Sequence, residues 1–282
     1  MNTLSFEVFP PKRDMPLEPV KAAVSELAKL APSFISVTYG AAGGSSSVNT
    51  SAIASFVQNE CKVPVLAHLT CVNSSRATVE GELDKLAQLG VKRILALRGD
   101  RVEPADKSVR VPGDFTHAVE LVRIVKAHPA KFTIGGACYP EGHPECAHLN
   151  EDILHVKEKV DAGLDFLTTQ MFFDNNIFYA YLSRLLGAGV KVPVIPGIMP
   201  VVNAKSIKRI CSLSGTMLPP RFKAIVDKFG DNDESMKAAG IAYATEQIID
   251  LYANGVKRVH LYTMNKPEIA ARIMANLKGI VG

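Results

Sequence analysis

The sequence predicts an α/β protein: one (β/α)₈ TIM-barrel domain over residues 1–282, with extra helices before the last strand. Eight short β-rich runs alternate with longer helical patterns, which favours a parallel sheet. The runs end near residues 7, 38, 68, 98, 139, 170, 197 and 262, so six of the seven gaps are 27 to 41 residues long, about one βα unit each. Pro10-Pro11-Lys12 follows the first run in place of a glycine-rich nucleotide fingerprint, which argues against the alternative of an open doubly wound sheet.

The first half of the chain holds four of the predicted strands. Each is a short apolar run bounded by glycine, proline or polar residues, and each helix repeats apolar residues at helical spacing, as Val20, Val24 and Leu27 do. Ser74 or Ser75 is predicted to cap the third helix. The strands are predicted at 4–9, 34–38, 64–69 and 93–98, and the helices at 17–30, 49–59 and 76–89.

The second half repeats the alternation and adds helices. Its strands are predicted at 132–138, 165–171, 192–196 and 256–262. Helices are predicted at 115–127, 151–162, 176–187 and 267–278, with two or three more across 204–254.

Composition excludes several classes of protein. Hydrophobic residues make up 47% and charged residues 21% of the chain, which is typical of globular proteins and not of disorder. The net charge of +4 is spread along the chain without a basic stripe, so no nucleic-acid partner is predicted. The five cysteines have no CxxC spacing and indicate a reducing compartment, and neither a signal peptide nor an apolar run of membrane length is present. These features predict a soluble cytoplasmic protein without a membrane partner.

Polar side chains stand where the predicted strands end. Barrel enzymes place their reacting groups at the carboxyl ends of the strands, which selects candidate site residues without further information. The selected residues are Glu7, Thr38, His68, Arg98 with Asp100, Tyr139, Gln170 and Tyr262.

Glu7 stands out because Phe6, Val8 and Phe9 surround it in the sequence. A carboxyl group against apolar side chains would have a raised pKa, which suits a general acid near neutral pH. The equally weighted alternative is a structural carboxylate paired with a lysine or an arginine. His68 alone is more typical of a hydrogen-bonded core histidine than of a catalyst.

Two other groups carry open alternatives. In Arg98-Gly99-Asp100, glycine permits close backbone approach while the charged residues could bind a phosphate and a ring edge, or the segment could be a surface turn with an ion pair. His143, Cys146 and His148 suggest zinc, but their spacing matches no common site and no fourth ligand is evident, so no metal is assigned.

Nine segments, taken together and in order, resemble methylenetetrahydrofolate reductase of the bacterial catalytic-barrel type. The resemblance runs from residue 4 to about 266, nearly the whole chain. The segments are 5–12 (SFEVFPPK), 36–41 (SVTYGA), 67–71 (AHLTC), 95–100 (LALRGD), 139–145 (YPEGHPE), 159–163 (KVDAG), 169–174 (TQMFFD), 195–200 (IPGIMP) and 262–265 (YTMN).

The resemblance implies a flavin-dependent activity in one-carbon metabolism and methionine biosynthesis. FAD would take a hydride from NADH or NADPH and pass it to 5,10-methylenetetrahydrofolate, giving 5-methyltetrahydrofolate by ping-pong kinetics. The family carries FAD without a Rossmann domain, which agrees with the missing fingerprint. Family analogy also implies a homo-oligomer.

Roles are carried over to matching positions. Glu7 matches the family's general acid, Asp100 the carboxylate between flavin and folate, Gln170 a residue that meets both substrates, and Thr38 a residue near the nicotinamide. The positions that match flavin contacts are Tyr39, Ala41, His68, Arg98, Gly99, Asp100, Ala118, Tyr139, His143, Asp152 and Lys159.

Some positions depart from the family pattern. Cys146, His155 and Glu158 stand where the best-known bacterial pattern has Ala, Asn and Arg around the flavin phosphates and adenosine, and an acid in place of an arginine removes a phosphate partner. Lys266 stands where an arginine of the family often contacts the folate, so it is assigned to substrate binding. Residues 204–212 correspond to the family's folate lid but diverge from its pattern, and Ser206 is the one residue there that is assigned to substrate binding.

Two rival functions stay open on the sequence. One is a zinc-dependent barrel lyase or methyltransferase. The other is an electron-relay subunit that works with a donor protein in a larger complex. The presence of Glu7, Asp100 and Gln170 together speaks against an inactive scaffold.

Overall fold

The computed structural model describes residues 1–11, 15–39, 46–101 and 113–281, with the side chains of residues 46, 47 and 208 left out. Its strands are β1 (Thr3–Val8), β2 (Ile35–Val37), β3 (Val65–Thr70), β4 (Arg93–Leu97), β5 (Thr133–Cys138), β6 (Phe166–Thr169), β7 (Val194–Ile195), β8 (Gly197–Ile198) and β9 (Arg258–Tyr262). Its helices are α1 (Glu18–Ala28), α2 (Ser46–Ser55), α3 (Arg76–Gln88), α4 (Ala118–Ala127), α5 (Leu149–Asp161), α6 (Asn175–Gly187), α7 (Ala204–Ser214), α8 (Pro220–Phe229), α9 (Asp233–Ala253) and α10 (Pro267–Asn276).

The strands form one sheet with the order β7-β6-β5-β4-β3-β2-β1-β9-β8. Strands that follow each other in the chain are therefore neighbours from β1 to β7, and helices connect them. The pairs β2–β3, β3–β4, β4–β5, β6–β7 and β8–β9 are parallel. This is the topology of a (β/α)₈ barrel, so the predicted fold class is confirmed. The single-domain assignment stays a prediction.

The predicted strand at 192–196 is wrong in one respect, because two short strands occupy this part of the chain. β7 pairs with β6, with Val194 opposite Leu167. β8 pairs with β9, with Gly197 opposite His260. Pro196 stands between them and has no N–H for a sheet ladder, while its carbonyl accepts the N–H of His260 at 2.9 Å. The proline thus marks the point where the chain changes its hydrogen-bonding partner.

Two helix starts also differ from prediction. α4 begins at Ala118 and not at 115, because the Glu120 carboxylate accepts the N–H groups of Thr116 and His117, both at 2.7 Å, and caps the helix there. α2 begins at Ser46 and continues into a π-helical turn, Phe56–Glu60. The predicted cap of α3 is Ser75, whose Oγ accepts the Thr78 N–H.

The chain divides into two compact units. The first comprises Glu7–Ala137 and Glu158–Phe166 and is called the N-unit here. Its core is built on β2 to β4, whose inward residues include the fully buried Ile35, Val37 and Ile94. Two glycines of β5 are required by packing, since a Cβ at Gly135 would lie 2.5 Å from the Phe166 ring. The neighbouring Gly136 abuts Leu164 in the same way.

The second unit comprises Met1–Phe6, Cys138–Lys157 and Leu167–Gly282 and is called the C-unit here. It holds α7, α8 and α9, the extra helices predicted before the last strand. Phe173, Phe222 and Tyr243 form its aromatic core, with the Phe222 and Tyr243 rings stacked at 4.2 Å. α9 contacts the loop before α7 so closely that a Cβ at Gly240 would lie 1.8 Å from the Val201 carbonyl oxygen.

Two predicted absences can be compared with the described residues. None of the five cysteines, which all lie within the described residues, is part of a disulfide bond. None of the described helices combines the length and the apolar character needed to cross a membrane.

Candidate active site

Three strands of the N-unit bring Glu7 next to two polar side chains. The Glu7 Oε2 atom accepts the Ser36 hydroxyl at 3.3 Å and lies 3.5 Å from His68 Nε2. In the β2–β3 register Ser36 is opposite Leu66, two residues before His68, so Ser36 and His68 project from the same face of the sheet. The side chains of Glu7 and His68 are 21% and 8% exposed. The structure therefore places a carboxyl group beside a buried imidazole and a buried hydroxyl.

This arrangement can hold and move a proton. The Ser36 hydroxyl orients one carboxyl oxygen, and the imidazole can exchange a proton with the same oxygen after a small movement. Ser36 was missed by sequence reasoning, although a serine inside the apolar run Ile35–Val37 is a signal that could have identified it. The raised pKa expected for Glu7 stays a prediction.

Thr38 and Tyr39 follow β2 directly. The Thr38 N–H donates to the Val8 carbonyl at 3.0 Å, and its own carbonyl accepts the hydroxyl of the buried Thr50 at 2.9 Å. The backbone of Thr38 is thus fixed from β1 and from α2. Ala41, which the resemblance assigns to flavin contact, lies outside the described residues.

The Arg98-Gly99-Asp100 segment is a tight turn at the end of β4. Gly99 has φ +82°, and a Cβ there would lie 2.8 Å from the Thr70 Cβ, so both backbone conformation and space require glycine. The Arg98 carbonyl accepts the N–H groups of Cys71 and Val72, and the Arg98 Nε donates to the Gly99 carbonyl. These contacts fix the turn from the β3 side.

Asn73 was also missed by sequence reasoning. Its Nδ2 donates to the Asp100 carbonyl at 2.7 Å, while the Asp100 residue itself is exposed. Asn73 therefore holds the backbone of Asp100 and leaves the carboxylate toward solvent. An asparagine in the loop after an apolar strand is too common a pattern to have predicted this contact.

Cys71 lies beneath the same turn and is buried. Burial, followed by the charge of Glu120, raises the pKa of its thiol to about 12. The Sγ atom lies 3.8 Å from the carbonyl oxygens of Arg98 and His117. A thiol with this pKa stays protonated at neutral pH and is not a nucleophile.

Three further assigned positions of the N-unit lie on α4 and α5. Ala118 is the first residue of α4. The Lys159 Nζ donates to the Ala137 carbonyl of β5 at 2.7 Å, which places its ammonium at that strand. The exposed carboxylate of Glu158 forms a surface ion pair with Arg123 at 3.2 Å.

The loop after β5 belongs to the C-unit and contains Tyr139 and His143. Their rings meet edge to face with centroids 4.7 Å apart, and the His143 Nδ1 accepts the Glu145 N–H at 3.1 Å. Cys146 turns its thiol to the His148 carbonyl. Within the described ranges no group of three or more His, Cys, Asp or Glu side chains could hold a metal ion. On α5, Asp152 is buried and His155 is exposed.

Gln170 follows β6 and is held by its neighbours. Its N–H donates to the Cys138 carbonyl at 2.8 Å, and its side-chain Oε1 accepts the Met171 N–H at 3.0 Å. The side-chain amide nitrogen contacts none of the described polar groups, so it presents two N–H donors. This hydrogen bond joins the end of β6 to the end of β5. Gln170 and Tyr139, each the first residue after its strand, therefore lie near each other.

Tyr262 at the end of β9, Thr169 at the end of β6 and Gly197 at the start of β8 lie together. The Tyr262 hydroxyl donates to the Thr169 carbonyl at 2.5 Å, and the Thr169 Oγ1 accepts the Gly197 N–H at 2.9 Å. A Cβ at Gly197 would lie 2.4 Å from the Tyr262 hydroxyl. Tyr262 therefore has a structural contact that sequence reasoning did not identify.

Ser206 and Lys266 are exposed at two helix starts. The Ser206 hydroxyl donates to the Asn203 carbonyl at 3.0 Å within the first turn of α7. Lys266 caps α10 after Met264 and Asn265, which have φ of 53° and 55°. Two successive non-glycine residues in the left-handed region store backbone strain, a feature often found at functional loops.

With this geometry in place, the chain can be compared with known proteins. A family model described as methylenetetrahydrofolate reductase matches residues 1–278. The chain is 36% identical to methylenetetrahydrofolate reductase (NADH) 1 of Arabidopsis thaliana, covering 98% of this chain and 48% of that protein. It is 32% identical to 5,10-methylenetetrahydrofolate reductase of Escherichia coli (strain K12), covering 97% of this chain and 90% of that protein. The chain thus spans about half the length of the plant and fungal relatives and most of the bacterial one.

A solved structure shares the fold. A Clostridium thermocellum protein described as binding two copies of 5-methyl-5,6,7,8-tetrahydrofolic acid matches with a TM-score of 0.65 at 15% sequence identity. The match covers 99% of this chain and 96% of that chain. At this identity the likeness concerns the fold alone.

Proposed function

The chain belongs to the methylenetetrahydrofolate reductase family, and we propose that it reduces 5,10-methylenetetrahydrofolate to 5-methyltetrahydrofolate with electrons from NADH or NADPH. The observation that carries the proposal is the carboxyl group of Glu7 held by Ser36 and His68 at the strand ends of the N-unit. A folate reductase of this type needs a positioned proton donor, and this group supplies one.

Glu7 acts on the folate as a general acid. Its proton goes to the arylamine nitrogen of the five-membered ring, and the ring opens to a reactive iminium that can accept a hydride. Ser36 donates to the Glu7 carboxylate and fixes its direction. His68, 3.5 Å away, is placed to return a proton to Glu7 after each turnover.

Asp100 and Gln170 bind the polar edges of the substrates. The carboxylate of Asp100, with its backbone held by Asn73, accepts N–H groups of the pterin ring. The Gln170 amide nitrogen donates to carbonyl groups, which both the pterin and the nicotinamide carry. Thr38 is placed by its backbone bonds to Val8 and Thr50 and serves the nicotinamide.

The described residues fit FAD by the chemistry of their donors. In the N-unit, Arg98 at the Gly99 turn and Lys159 beside β5 are cations suited to phosphates. Glu158 is the exception, since it pairs with Arg123 on the surface and offers no phosphate contact. When bound, FAD would supply the hydride relay between the nicotinamide and the folate, with one site serving both in turn.

The donor and the assembly are part of the proposal. NADH is the first donor to test because three plant relatives at 36% identity carry it in their names. A homo-oligomer and an electron-donor partner protein stay predictions.

A spectrum of the purified protein tests the function. The protein reconstituted with FAD is expected to be yellow, to bleach on anaerobic addition of NADH or NADPH, and to recover its flavin spectrum on addition of methylenetetrahydrofolate. Failure of the folate to restore the spectrum of the reduced protein would contradict the proposed function. If neither nucleotide bleaches the flavin but a reduced donor protein does, the result would favour the electron-relay alternative.

A further inference from the structure

The short linker between α7 and α8 is tied to two strand-end loops by three successive residues. Gly215 ends α7 with φ 72°, and a Cβ there would lie 3.1 Å from the ring of Pro144. Thr216 is 5% exposed and its hydroxyl donates to the Met171 carbonyl at 3.1 Å. The N–H of the next residue, Met217, donates to the Glu141 carboxylate at 2.8 Å. We call residues 215–217 the strap.

Glu141 is the charged member of this arrangement. Its Oε2 accepts the Met217 N–H, while its Oε1 is buried and has no hydrogen-bond partner among the described residues. The charge of Asp174, the residue before α6, acts on this carboxyl group, whose own charge acts on Cys211 of α7. Burial raises the pKa of Glu141, the Met217 N–H opposes this, and the charge of Asp174 adds to it.

A half-satisfied buried carboxyl group is unfavourable by itself. A carboxylate oxygen without a partner loses its hydration and gains nothing in return. The mechanism proposed for the reaction does not use Glu141, so its place in the fold has to be explained by what its other oxygen holds.

α7 has few buried side chains and is also fixed at both of its ends. Of its described side chains only Ile207 is buried, at 1% exposure. The first turn is capped by Asn203, whose Oδ1 accepts the N–H groups of Lys205 and Ser206. The last turn runs directly into the strap. Ala204, Ile210 and Cys211 are only partly buried against the same core, so the helix is expected to fray more often if the strap is released.

We propose that Glu141 is a positioning residue that locks the strap and thereby holds α7, with Ser206 on its first turn, in place for the folate. The part concerning the folate rests on the proposed function. The part concerning the helix does not, because it follows from the contacts of the strap alone.

Limited trypsin digestion of the full chain tests the helix directly. Glu141→Ala and, independently, Thr216→Val are expected to raise cleavage after Lys205 and Arg209 of α7 about tenfold, the factor that loss of one such hydrogen bond implies. Cleavage after Arg184, exposed on α6, is the internal reference and stays unchanged. Glu141→Gln keeps a carbonyl oxygen that can accept the Met217 N–H. Its α7 is therefore expected to be cleaved at the same rate as in the unsubstituted protein. Glu151→Ala, an exposed change on α5, is the matched control.

Steady-state kinetics then test the link to the folate. Glu141→Ala is expected to raise KM for methylenetetrahydrofolate about tenfold while the rate of flavin reduction by NADH stays within about twofold. Unchanged cleavage of α7 in both strap variants would overturn the proposal. Faster cleavage with an unchanged KM would overturn its folate part. Should the unsubstituted protein lack reductase activity, the digestion still decides the role of Glu141 in holding α7.

Discussion

At the residue scale, the central feature is a carboxyl group whose neighbours were not all visible in the sequence. Glu7 and His68 were singled out because they end apolar strands, and the structure brings them to 3.5 Å. Ser36 completes the group from β2, and it was not selected from the sequence because it lies within a strand and not at a strand end. The identity of a site residue is thus readable from the sequence, while its partners depend on the register between strands.

Cys71 gives a prediction about reactivity. Since its pKa is raised to about 12 by burial, its thiolate fraction at pH 8 is negligible. Iodoacetamide at pH 8 is expected to leave Cys71 unmodified in the folded protein and to modify it after unfolding, as read by peptide mass spectrometry. Cys146, which is less buried, serves as the comparison. Equal labelling of the two cysteines in the folded protein would refute this view of Cys71.

Glu158 gives a prediction about cofactor affinity. Its carboxylate pairs with Arg123 at the surface, where the family pattern has an arginine for phosphate. Glu158→Arg is expected to lower the Kd for FAD about tenfold, because a phosphate partner worth about 1.5 kcal/mol is restored. Flavin fluorescence on titration measures the Kd. Glu151→Arg makes the same charge change elsewhere on α5 and is expected to have little effect, so an equal gain there would mean that net charge alone is responsible.

At the element scale, helix α4 depends on Glu120 for its start. Burial tends to raise the pKa of Glu120, but the N–H groups of His117 and Thr116 outweigh it, so the pKa is lowered on balance. A carboxyl group with a lowered folded-state pKa stabilises the fold above its unfolded pKa of about 4.3, and this stabilisation is lost as the pH falls through the folded value.

Glu120→Ala is therefore expected to lower the free energy of unfolding by about 1 kcal/mol at pH 7 and by less at pH 3. Denaturant titration at the two pH values measures the difference. Glu82→Ala on α3 is the control and is expected to change stability by less than about 0.5 kcal/mol at either pH. An effect of Glu120→Ala that grows toward pH 3 would have the wrong sign for a lowered pKa.

The start of β8 gives a second prediction about an element. A Cβ at Gly197 would overlap the Tyr262 hydroxyl at 2.4 Å and the Thr169 carbonyl at 2.6 Å. Gly197→Ala is expected to destabilise the protein by about 2 kcal/mol because one of these groups must move. Gly81→Ala on α3 meets nothing within 4 Å and is expected to stabilise it by about 0.5 kcal/mol. The midpoint of thermal unfolding is expected to fall for Gly197→Ala and to rise for Gly81→Ala. Equal changes in the midpoint for the two variants would show that Gly197 has room for a Cβ.

At the scale of the whole molecule, the strand and helix order follows from patterns that are local in the sequence. The periodicity of runs such as 93–98 and caps such as Ser75 are visible within a few residues, so the elements and the (β/α)₈ topology were predictable. The division of the seventh strand at Pro196 was not, because it depends on a change of partner from β6 to β9.

The site was predictable only in part for the same reason. The rule that site residues lie at strand ends identifies Glu7 and Gln170. The hydrogen bond from Asn73 to Asp100 joins residues 27 positions apart, and that from Met217 to Glu141 joins residues 76 positions apart, so neither is visible locally in the sequence. The assignment of FAD came from the resemblance of nine segments and from no pattern in the strands. Chemistry at a strand end is thus read from the sequence, while the contacts that position it require the structure.

The proton-donating role of Glu7 is tested most directly by separating the two half-reactions of Glu7→Gln in an anaerobic stopped-flow experiment. Reduction of the flavin by NADH is expected to stay within about twofold of the unsubstituted protein, since it needs no proton from this side chain. Reoxidation by methylenetetrahydrofolate is expected to fall by a factor of about 10² to 10⁴, the range for loss of a general acid. An equal loss in both half-reactions, or a folate half-reaction that proceeds undiminished, would contradict the role assigned to Glu7.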